Sequence, residues 1–519
     1  MNRFNSSSAR STILLATALT LTLTGVTACS SSSASGSSAS ASDTLAIGMD
    51  GDSAANGYDP AKYTEMRQFF ESVYDSLFVK TADGGVKPSL ATKFAYNKDK
   101  TQLTLTLRKG VTFADGSKLT AAVVKKNLDR RNDAALVAYG NMAKGGQAEI
   151  KQVTAPDDQT VVLTFAKAQP TFQEQLASDA GMIVSAKGLA DSKALGVAPY
   201  GSGPYTLDKS GTVKGSKYTM VRRKGYWNSA AFAYDTVVYR ALPDPQARAN
   251  ALVSGQVDVA AVAGSTSSFV KSRGTGLSSL GGTVVTLPVF DKKGTVSKPF
   301  GDERVRQAIQ VAINRQDLVS GLHKGDKPTS NAFPSSFDGY DAALNTTWGY
   351  HPDKAKKLLA EAGYAKGFSF TVITSQANQT DLEAIQKQLK AVGIDMKLKA
   401  AASTEEAFAA VSTTPLGYLA FNWPEPVVAM QAVVLGGFLN TQKATDKQLT
   451  EYTDAAAGAT GAKRTEALTK LNARLVETGW LIPLYESYSY AGYNTKKVKP
   501  LTFAGNDAYP LLSSIKQAS

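Results

Sequence analysis

The sequence predicts an α/β protein with at least two lobes. The chain has 519 residues, which is more than one hydrophobic core ordinarily serves. Hydrophobic residues make up 43% and charged residues 19% of the chain, as in an ordinary globular protein. Segments with strand-like alternation and segments with helical periodicity occur in turn along the chain, which is typical of α/β folds.

The clearest α/β unit lies between residues 369 and 398. Ser369–Ile373 is predicted to be a strand, and Thr380–Glu383 has the pattern of a capping box at a helix start. Gly393 is expected to end that helix. Apolar residues recur at helical spacing at Leu382, Ile385, Leu389 and Val392. On the next strand they alternate at Ile394, Met396 and Leu398. A strand, helix and strand in this order form a right-handed unit with parallel strands.

Periodicity, capping residues and turn residues predict the other elements. In chain order they are a strand at Leu45–Met49, a helix after Pro60 through Leu77, a strand at Leu103–Leu107, a helix from Thr120 to Arg131, a strand at Thr160–Phe165, strands at Tyr205–Leu207 and Tyr218–Arg222, a helix from Pro245 to Gly255, a helix capped by Asp302, and a helix from His351 to Gly363. The polar stretch from Gly264 to Gly282 predicts a boundary between lobes.

The first 42 residues have the features of an export signal and a tether. Arg3 and Arg10 precede an uncharged run, Ile13–Val26, which is shorter than the roughly 20 apolar residues of a membrane-spanning helix. Ser30–Ser42 is almost entirely Ser, Ala and Gly, a composition typical of a flexible linker. We therefore predict a signal peptide at residues 1–28 and a tether at residues 29–42.

Cys29 is the only cysteine in the chain, so it cannot form an internal disulfide. The four residues Val26–Cys29 resemble a bacterial lipobox. That resemblance implies that Cys29 becomes the lipidated first residue of the mature protein, which is anchored to the outer face of the cell membrane. The alternative is an ordinary signal peptide that is cut elsewhere, with Cys29 incidental.

The net charge of +13 is spread along the chain rather than concentrated. Nucleic-acid binding favours a concentrated basic stripe, so we interpret these charges as solvated surface facing an anionic envelope. Two histidines and one cysteine offer little for a transition-metal site. We expect no metal, no cofactor and no nucleic-acid partner.

Several motifs occur in a fixed order along the chain. They are LRKGVTFADG followed by LTA at 107–121, GSGPY at 201–205 with YW at 226–227, ALVSGQVD at 251–258, RVRQAI followed by AINR at 304–315, and YHPDKA at 350–355 with its helix ending at Gly363. Together they resemble the bacterial extracellular solute-binding proteins of family 5, which include dipeptide, oligopeptide and nickel binders of ABC importers.

This resemblance implies a periplasmic-binding-protein-like fold of type II, in the large peptide-binding class. Two α/β lobes would flank a cleft, joined by crossing strands, with the C-terminus returning to the first lobe and an extra subdomain inside it. The expected boundaries are residues 43–57, 199–275 and 487–519 for the first lobe, 58–198 for the extra subdomain, and 276–486 for the second lobe.

The resemblance also implies a function without catalysis. The protein would be a monomeric receptor that captures oligopeptides and delivers them to an ABC permease, while a separate ATPase subunit hydrolyses ATP. Alternatives on the same fold are a non-peptide solute, such as a metal chelate, a sugar or a modified peptide, or a role in sensing.

Tyr418–Pro426 resembles the family's cleft segment, W-x-x-D-x-x-[DE]-P. Peptide binders of the family carry there an Asp that pairs with the α-ammonium group of the peptide, and in this chain that position falls on Asn422. An amide supplies no charge, and charge-assisted hydrogen bonds are roughly twice as strong as neutral ones. The ligand is then a blocked or modified peptide or not a peptide, or else Asn422 is simply a turn residue before Pro424.

Other candidate ligand contacts come from three segments. The loop after the first strand faces a cleft in many α/β proteins, the Pro-flanked segment around residue 423 is a site-bearing loop, and one tyrosine lies near the predicted crossing. The candidates are Asp50, Asp52, Tyr58, Phe421, Trp423 and Tyr485. Solvated loop residues and sheet packing are the alternatives. His323 receives no role.

An exported enzyme is the remaining alternative. Ser268-Phe269-Val270-Lys271 matches Ser-x-x-Lys of penicillin-binding enzymes, but no Lys-Thr-Gly follows it. The Gly-x-Ser-x-Gly and His-Glu-x-x-His motifs are absent from the sequence. We expect no enzymatic activity.

Replacing the predicted lipidation site tests the anchor. Cys29→Ser should move the protein from the membrane fraction to the soluble fraction without unfolding it, because each buried acyl CH₂ contributes roughly 0.8 kcal/mol of bilayer affinity. Fractionation of cells followed by circular dichroism measures both effects. A mutant that stays in the membrane fraction contradicts the lipobox assignment.

Overall fold

We describe the chain from a computed structural model. It describes residues 44–63, 66–82, 85–144, 148–191, 193–375, 378–401, 406, 410–422, 426–504, 507 and 509–518. Cys29 and Trp423 lie outside the described residues, and so does the side chain of Asn422.

The strands follow in chain order. They are β1 (Thr44–Met49), β2 (Phe78–Lys80), β3 (Val86–Pro88), β4 (Ala91–Tyr96), β5 (Gln102–Leu107), β6 (Ile150–Thr154), β7 (Thr160–Phe165), β8 (Tyr205–Val213), β9 (Lys217–Arg222), β10 (Thr236–Ala241), β11 (Val259–Val262), β12 (Gly276–Pro288), β13 (Lys327–Pro328), β14 (Phe368–Thr374), β15 (Ile394–Ala400), β16 (Leu419–Asn422) and β17 (Leu481–Tyr493).

The helices are mostly short. They are α1 (Arg67–Phe70), α2 (Ala121–Asp129), α3 (Phe172–Gln175), α4 (Ala186–Ala190), α5 (Pro245–Val253), α6 (Gly264–Ser272), α7 (Glu303–Val311), α8 (Arg315–Gly321), α9 (Ala343–Thr347), α10 (Pro352–Glu361), α11 (Gln379–Lys390), α12 (Pro426–Ala429), α13 (Lys447–Ala457) and α14 (Gly461–Glu477).

The largest sheet has the strand order β16-β12-β17-β11-β1-β10-β9-β8, with β13 added on β17. Its middle strands β11, β1 and β10 run parallel, whereas β12 and β17 pair antiparallel. A separate antiparallel sheet has the order β4-β5-β7-β6. The parallel strands and their helices confirm the predicted α/β class.

Separate hydrophobic cores lie under these sheets. One combines residues from both chain ends, such as Leu45, Tyr218 and Tyr493. A second core, between residues 61 and 183, covers the sheet β4-β5-β7-β6. The third, between residues 285 and 485, contains the helices α7, α10, α11 and α14. The body is thus a two-lobed α/β fold, and the lobe boundaries given above remain predictions.

The predicted strand–helix–strand unit is present as β14, α11 and β15. β14 and β15 pair in parallel from Phe368 opposite Ile394 to Thr374 opposite Ala400. The predicted capping box is wrong, because Thr380 lies inside the helix and the N-cap residue is Asn378, which makes no side-chain capping bond. The other predicted caps at Thr120 and Asp302 do accept backbone hydrogen bonds.

The helix predicted through Leu77 is much shorter in the structure. It ends as α1 at Phe70, although the apolar residues beyond it keep helical spacing. Backbone groups beyond α1 bond to the GSGPY segment instead, since Gly203 N donates to Val73 O at 3.1 Å and Tyr205 N to Ser72 O at 2.8 Å. A tertiary contact thus replaces the helical hydrogen bonds.

The polar stretch from Gly264 to Gly282 is regular structure rather than a loop. It contains α6 and the first half of β12. Thr266 and Ser267 donate hydroxyl hydrogen bonds to carbonyls three residues earlier, which lets polar residues continue a helix. The Ser268–Lys271 motif lies within α6.

Asp75 joins two of the sequence motifs in the first lobe. Its carboxylate accepts hydrogen bonds from Ser202 Oγ at 2.8 Å, Tyr226 Oη at 2.6 Å and Trp227 Nε1 at 3.2 Å. The side chain is 7% exposed, and burial raises the pKa of this carboxyl above its ordinary range. GSGPY and YW are therefore held together through one buried acid.

The C-terminal segment returns to the first lobe. Glu71 accepts hydrogen bonds from Leu512 N at 2.7 Å and from Ser513 Oγ at 2.6 Å. Leu512 and Ile515 are buried in the same core as β1. The family resemblance implied this return of the C-terminus to the first lobe.

In the part of the chain that the structure describes, no helix has the length and apolar composition to cross a bilayer. The described residues also contain no group of three or more His, Cys, Asp or Glu side chains arranged to hold a metal ion.

Removing the Asp75 carboxylate should destabilise the first lobe. Asp75→Ala leaves buried hydroxyl and indole donors without an acceptor, and we expect the free energy of unfolding to fall by about 3 kcal/mol or more. Urea unfolding measures it. Asp99→Ala, at an exposed turn, serves as the control and should change the value by less than about 0.5 kcal/mol.

The pH dependence of stability, measured for wild-type protein and for Asp75→Ala, gives a second test of the buried carboxyl. Because the pKa of Asp75 is raised in the folded state, that state holds its proton to a higher pH than the unfolded chain does. Wild-type protein should therefore lose stability as pH rises from about 4 through the raised pKa. Asp75→Ala should lose less stability over that range, and parallel pH profiles would contradict this assignment.

Candidate functional site

Two long strands connect the lobes. β12 and β17 are thirteen residues each and pair from Gly276 opposite Tyr493 to Pro288 opposite Leu481. The first six residues of β17 are buried, residues 487–490 are half-buried, and the last three are buried again. The strand therefore leaves one core, crosses a less covered zone and enters the other.

A bulge interrupts the pairing at this crossing. The register of β12 against β17 shifts between Gly281 and Thr283, and Gly282 between them has φ of 138°. A side chain is disfavoured at that angle, so glycine is the residue that allows the bend.

The predicted loop contacts Asp50 and Asp52 take part in hydrogen bonds of the first lobe. Asp50 Oδ2 accepts from Tyr509 Oη at 2.5 Å. Asp52 Oδ1 accepts from the hydroxyl of Tyr218 and from Ala54 N at 3.0 Å. Both carboxylates thus position the loop after β1, and their contact with a ligand remains a prediction.

Tyr58, the third candidate in that loop, lies in the first-lobe core. Its side chain is 4% exposed and stands edge-on to Tyr218, with ring centroids 6.3 Å apart. Burial, with Asp52 adding to it, raises the pKa of the phenol to about 12. The backbone carbonyl of Tyr58 also accepts from Tyr74 Oη at 2.7 Å.

The second-lobe candidates lie on the edge strand β16. Phe421 is opposite Val284 and Asn422 is opposite Thr283 on β12. Because side chains alternate along strands, Phe421 shares one face of β16 with Leu419. Phe421 packs against the second-lobe core.

Tyr485 belongs to a hydrogen-bonded cluster that the sequence did not reveal. Its hydroxyl lies 2.6 Å from Tyr418 Oη and 3.0 Å from His323 Nε2. His323 Nε2 also contacts Asp381 Oδ1, and its ring stacks on Tyr485 with centroids 4.2 Å apart. Asp326 Oδ2 lies 4.0 Å from His323 Nδ1.

Burial and a neighbouring carboxylate keep the two tyrosines of this cluster protonated. Burial raises the pKa of Tyr418 and of Tyr485 well above the ordinary value, and Asp381 adds to both shifts. Both phenols therefore keep their protons. The cluster ties α11, the β13 loop, β16 and β17 together, and so it positions the strand that leads to Asn422.

The structure thus divides the candidates between the lobes. Asp50, Asp52 and Tyr58 lie in the first lobe, whereas Phe421, Asn422 and Tyr485 lie on strands of the second. No local sequence pattern pointed to His323, because its main partner Asp381 is 58 residues away.

A family comparison agrees with this architecture. The family described as bacterial extracellular solute-binding proteins, family 5 Middle, matches residues 85–437. The chain belongs to this family. The match covers more than half of the chain and confirms the resemblance that the motifs carried.

Curated relatives include the glutathione-binding proteins GsiB of Salmonella typhi and of Escherichia coli (strain K12). They are 32% and 31% identical to this chain over 338 residues. The matched region is 64% of this chain and 64% of each relative, so the chain matches less than two thirds of their length.

Solved structures share the two-lobed fold. HbpA2 from Haemophilus parasuis has a TM-score of 0.73 at 21% identity, over 92% of this chain and 100% of that chain. DppA from Helicobacter pylori in complex with the peptide STSA has a TM-score of 0.66 at 22% identity, over 92% and 98%. NikA from Brucella suis in complex with Fe(III)-EDTA has a TM-score of 0.69 at 20% identity, over 91% and 99%.

The two histidines of the chain offer a matched test of the cluster. His323→Ala should lower the free energy of unfolding by about 1–3 kcal/mol, because Asp381 and Tyr485 lose a buried partner. His351→Ala should change it little, since His351 makes one side-chain contact of 3.3 Å to Thr346 O at an exposed site. Urea unfolding of both variants measures the difference, and equal losses would contradict the structural role of His323.

Proposed function

We propose that the chain is the extracytoplasmic receptor of an ABC importer and that it captures small peptides between its two lobes. Membership of solute-binding family 5 is the observation that carries this proposal. The crossing strands β12 and β17 support it, because they link two lobes that can close over a solute.

Closure would couple capture to delivery. A solute that contacts both lobes stabilises the closed state by its differential affinity for that state. The closed receptor then presents a surface that a membrane permease can recognise. The protein releases the solute unchanged, and the hydrolysis of ATP belongs to its partners.

The predicted anchor completes this proposal. Lipidation at Cys29 would hold the monomeric receptor at the outer face of the cell membrane, and the Ser-rich tether would let it reach the permease. Tethering raises the effective concentration of the receptor near its partner.

Small peptides are favoured as solutes by the relatives. Curated relatives are named for binding glutathione, which is a tripeptide, and a structure of the same fold holds the peptide STSA. Asn422 at the position of the family's Asp keeps a second candidate open, a solute without a free amino terminus, such as a metal chelate.

Native mass spectrometry of the purified body, residues 43–519, tests the solute class. We expect co-purified masses that fit sums of amino-acid residues, and binding of glutathione or tri-alanine by calorimetry. A single non-peptide mass with no response to either peptide would overturn the peptide proposal. In that case metal chelates and sugars are the next probes.

Trp423 offers a mutational test of the cleft segment. Trp423→Ala should weaken peptide binding by about tenfold or more, because a ring that stacks on a ligand buries a large area. The melting temperature of the ligand-free protein should stay nearly unchanged. Tyr350→Ala removes an exposed aromatic ring elsewhere on the second lobe and should leave binding intact. A large loss of ligand-free stability in Trp423→Ala would mark that ring as core.

A further inference from the structure

Four side chains meet on one face of the crossing. Glu486, Tyr488 and Tyr490 alternate along β17 and therefore point to the same side of the sheet. Lys327 on β13 lies directly opposite Glu486. Neither the family motifs nor the candidates from the sequence include Glu486 or Lys327.

Glu486 is a buried acid with an unused oxygen. Its side chain is 2% exposed. Oε2 accepts a hydrogen bond from Ser335 N at 3.1 Å, whereas Oε1 accepts none from the described residues. A buried carboxylate oxygen without a donor is costly, so this oxygen favours a cation or a donor beside it.

The unused oxygen lies next to an aromatic ring. A Cβ atom built on Gly281 would stand 2.6 Å from Glu486 Oε1 and 2.6 Å from Tyr488 Cε1. Only a residue without a side chain leaves this space open. Tyr488 and Tyr490 are half-buried and stack with centroids 6.2 Å apart and an interplanar angle of 29°.

Asp326 adds a second carboxylate. Its Oδ1 accepts a hydrogen bond from Tyr488 N at 3.0 Å. Burial raises the pKa of Asp326, and the negative charge of Glu486 raises it further. Asp326 directly precedes Lys327, which lies opposite Glu486 in the sheet, so the two acids lie in neighbouring positions and a positive charge between them would relieve their repulsion.

A positive charge of the chain itself lies beside this place, over the neighbouring ring. Lys327 is an exposed residue, yet its Nζ lies 4.6 Å from the centroid of the Tyr488 ring. The Tyr488 hydroxyl, and to a smaller extent Glu486, raise the pKa of the Lys327 ammonium group. Rings of this kind attract ammonium and guanidinium groups.

We propose that Glu486, Asp326 and the Tyr488 ring form a subsite for a cationic group of the captured solute, an ammonium or a guanidinium, and that Lys327 covers the ring of this subsite in the ligand-free protein. This inference rests on the proposed function as a peptide receptor. It also gives the positive end of a peptide a partner that Asn422 does not supply.

Lys327 then acts as an internal competitor. A solute cation must displace its ammonium group from the Tyr488 ring, so the apparent affinity is lower when Lys327 covers that ring in a larger fraction of the protein. Removing that ammonium group should tighten the binding of cationic solutes. If Lys327 instead bound the solute directly, its removal would weaken the binding of the solute.

Calorimetry with two probes, tri-alanine and N-acetyl-tri-alanine, tests the subsite. Glu486→Gln should weaken tri-alanine binding about tenfold or more and leave the acetylated peptide unchanged. Lys327→Met should tighten tri-alanine binding about threefold or more. Lys354→Met is the matched control, because Lys354 Nζ lies 5.0 Å from the Trp348 ring on the second lobe, and it should change neither affinity.

The contrary results are distinct. Weaker tri-alanine binding in Lys327→Met, or equal losses for both peptides in a folded Glu486→Gln, would overturn the subsite. If Glu486→Gln does not fold, Tyr488→Leu takes its place, with the same selective loss expected. If wild-type protein binds neither peptide, the peptide proposal fails by itself.

In that last case a small cation still tests the subsite. n-Butylammonium chloride should raise the melting temperature of Lys327→Met above the value in sodium chloride at equal ionic strength. The double variant Lys327→Met, Tyr488→Leu should show no such rise. Equal melting temperatures of Lys327→Met in both salts would overturn the subsite independently of any peptide.

Discussion

The antiparallel pairing of β12 with β17 is the constraint on which the rest of the body depends. β17 is buried in one lobe at its first end and in the other lobe at its last end, so its ladder with β12 joins two cores. A bulge leaves one residue unpaired and lets such a ladder bend locally. Gly282 supplies that bulge, next to the least covered residues of β17.

Much of the fold was predictable, because periodicity and capping are local properties. The strand–helix–strand unit at β14, α11 and β15 and the caps at Thr120 and Asp302 followed from such signals. The departures have two causes. A tertiary contact ends the helix after Pro60 at Phe70, because its next backbone groups bond to GSGPY. Local hydrogen bonds continue α6 through polar residues, because their hydroxyls bond to carbonyls three residues earlier.

The candidate site was less predictable, because its contacts span large distances along the chain. His323 meets Asp381 and Tyr485, and Glu486 meets Ser335, across 58 to 162 residues. No spacing rule relates such positions. The motifs located segments, as in GSGPY and YW, but not the buried acid that joins them, since Asp75 lies more than a hundred residues earlier.

The position of β17 in the sheet has a consequence for the order in which the protein folds. This strand lies between β12 and β11, yet it is made among the last forty residues of the chain. Until it arrives, the first-lobe sheet remains in two parts with unpaired edges, which is a hazard for aggregation. The first residues of β17, from Leu481 to Tyr485, also belong to the second-lobe core, so that core too is completed only when this strand is in place. Completion of the first lobe is therefore a late, non-local step, and non-local steps are slow.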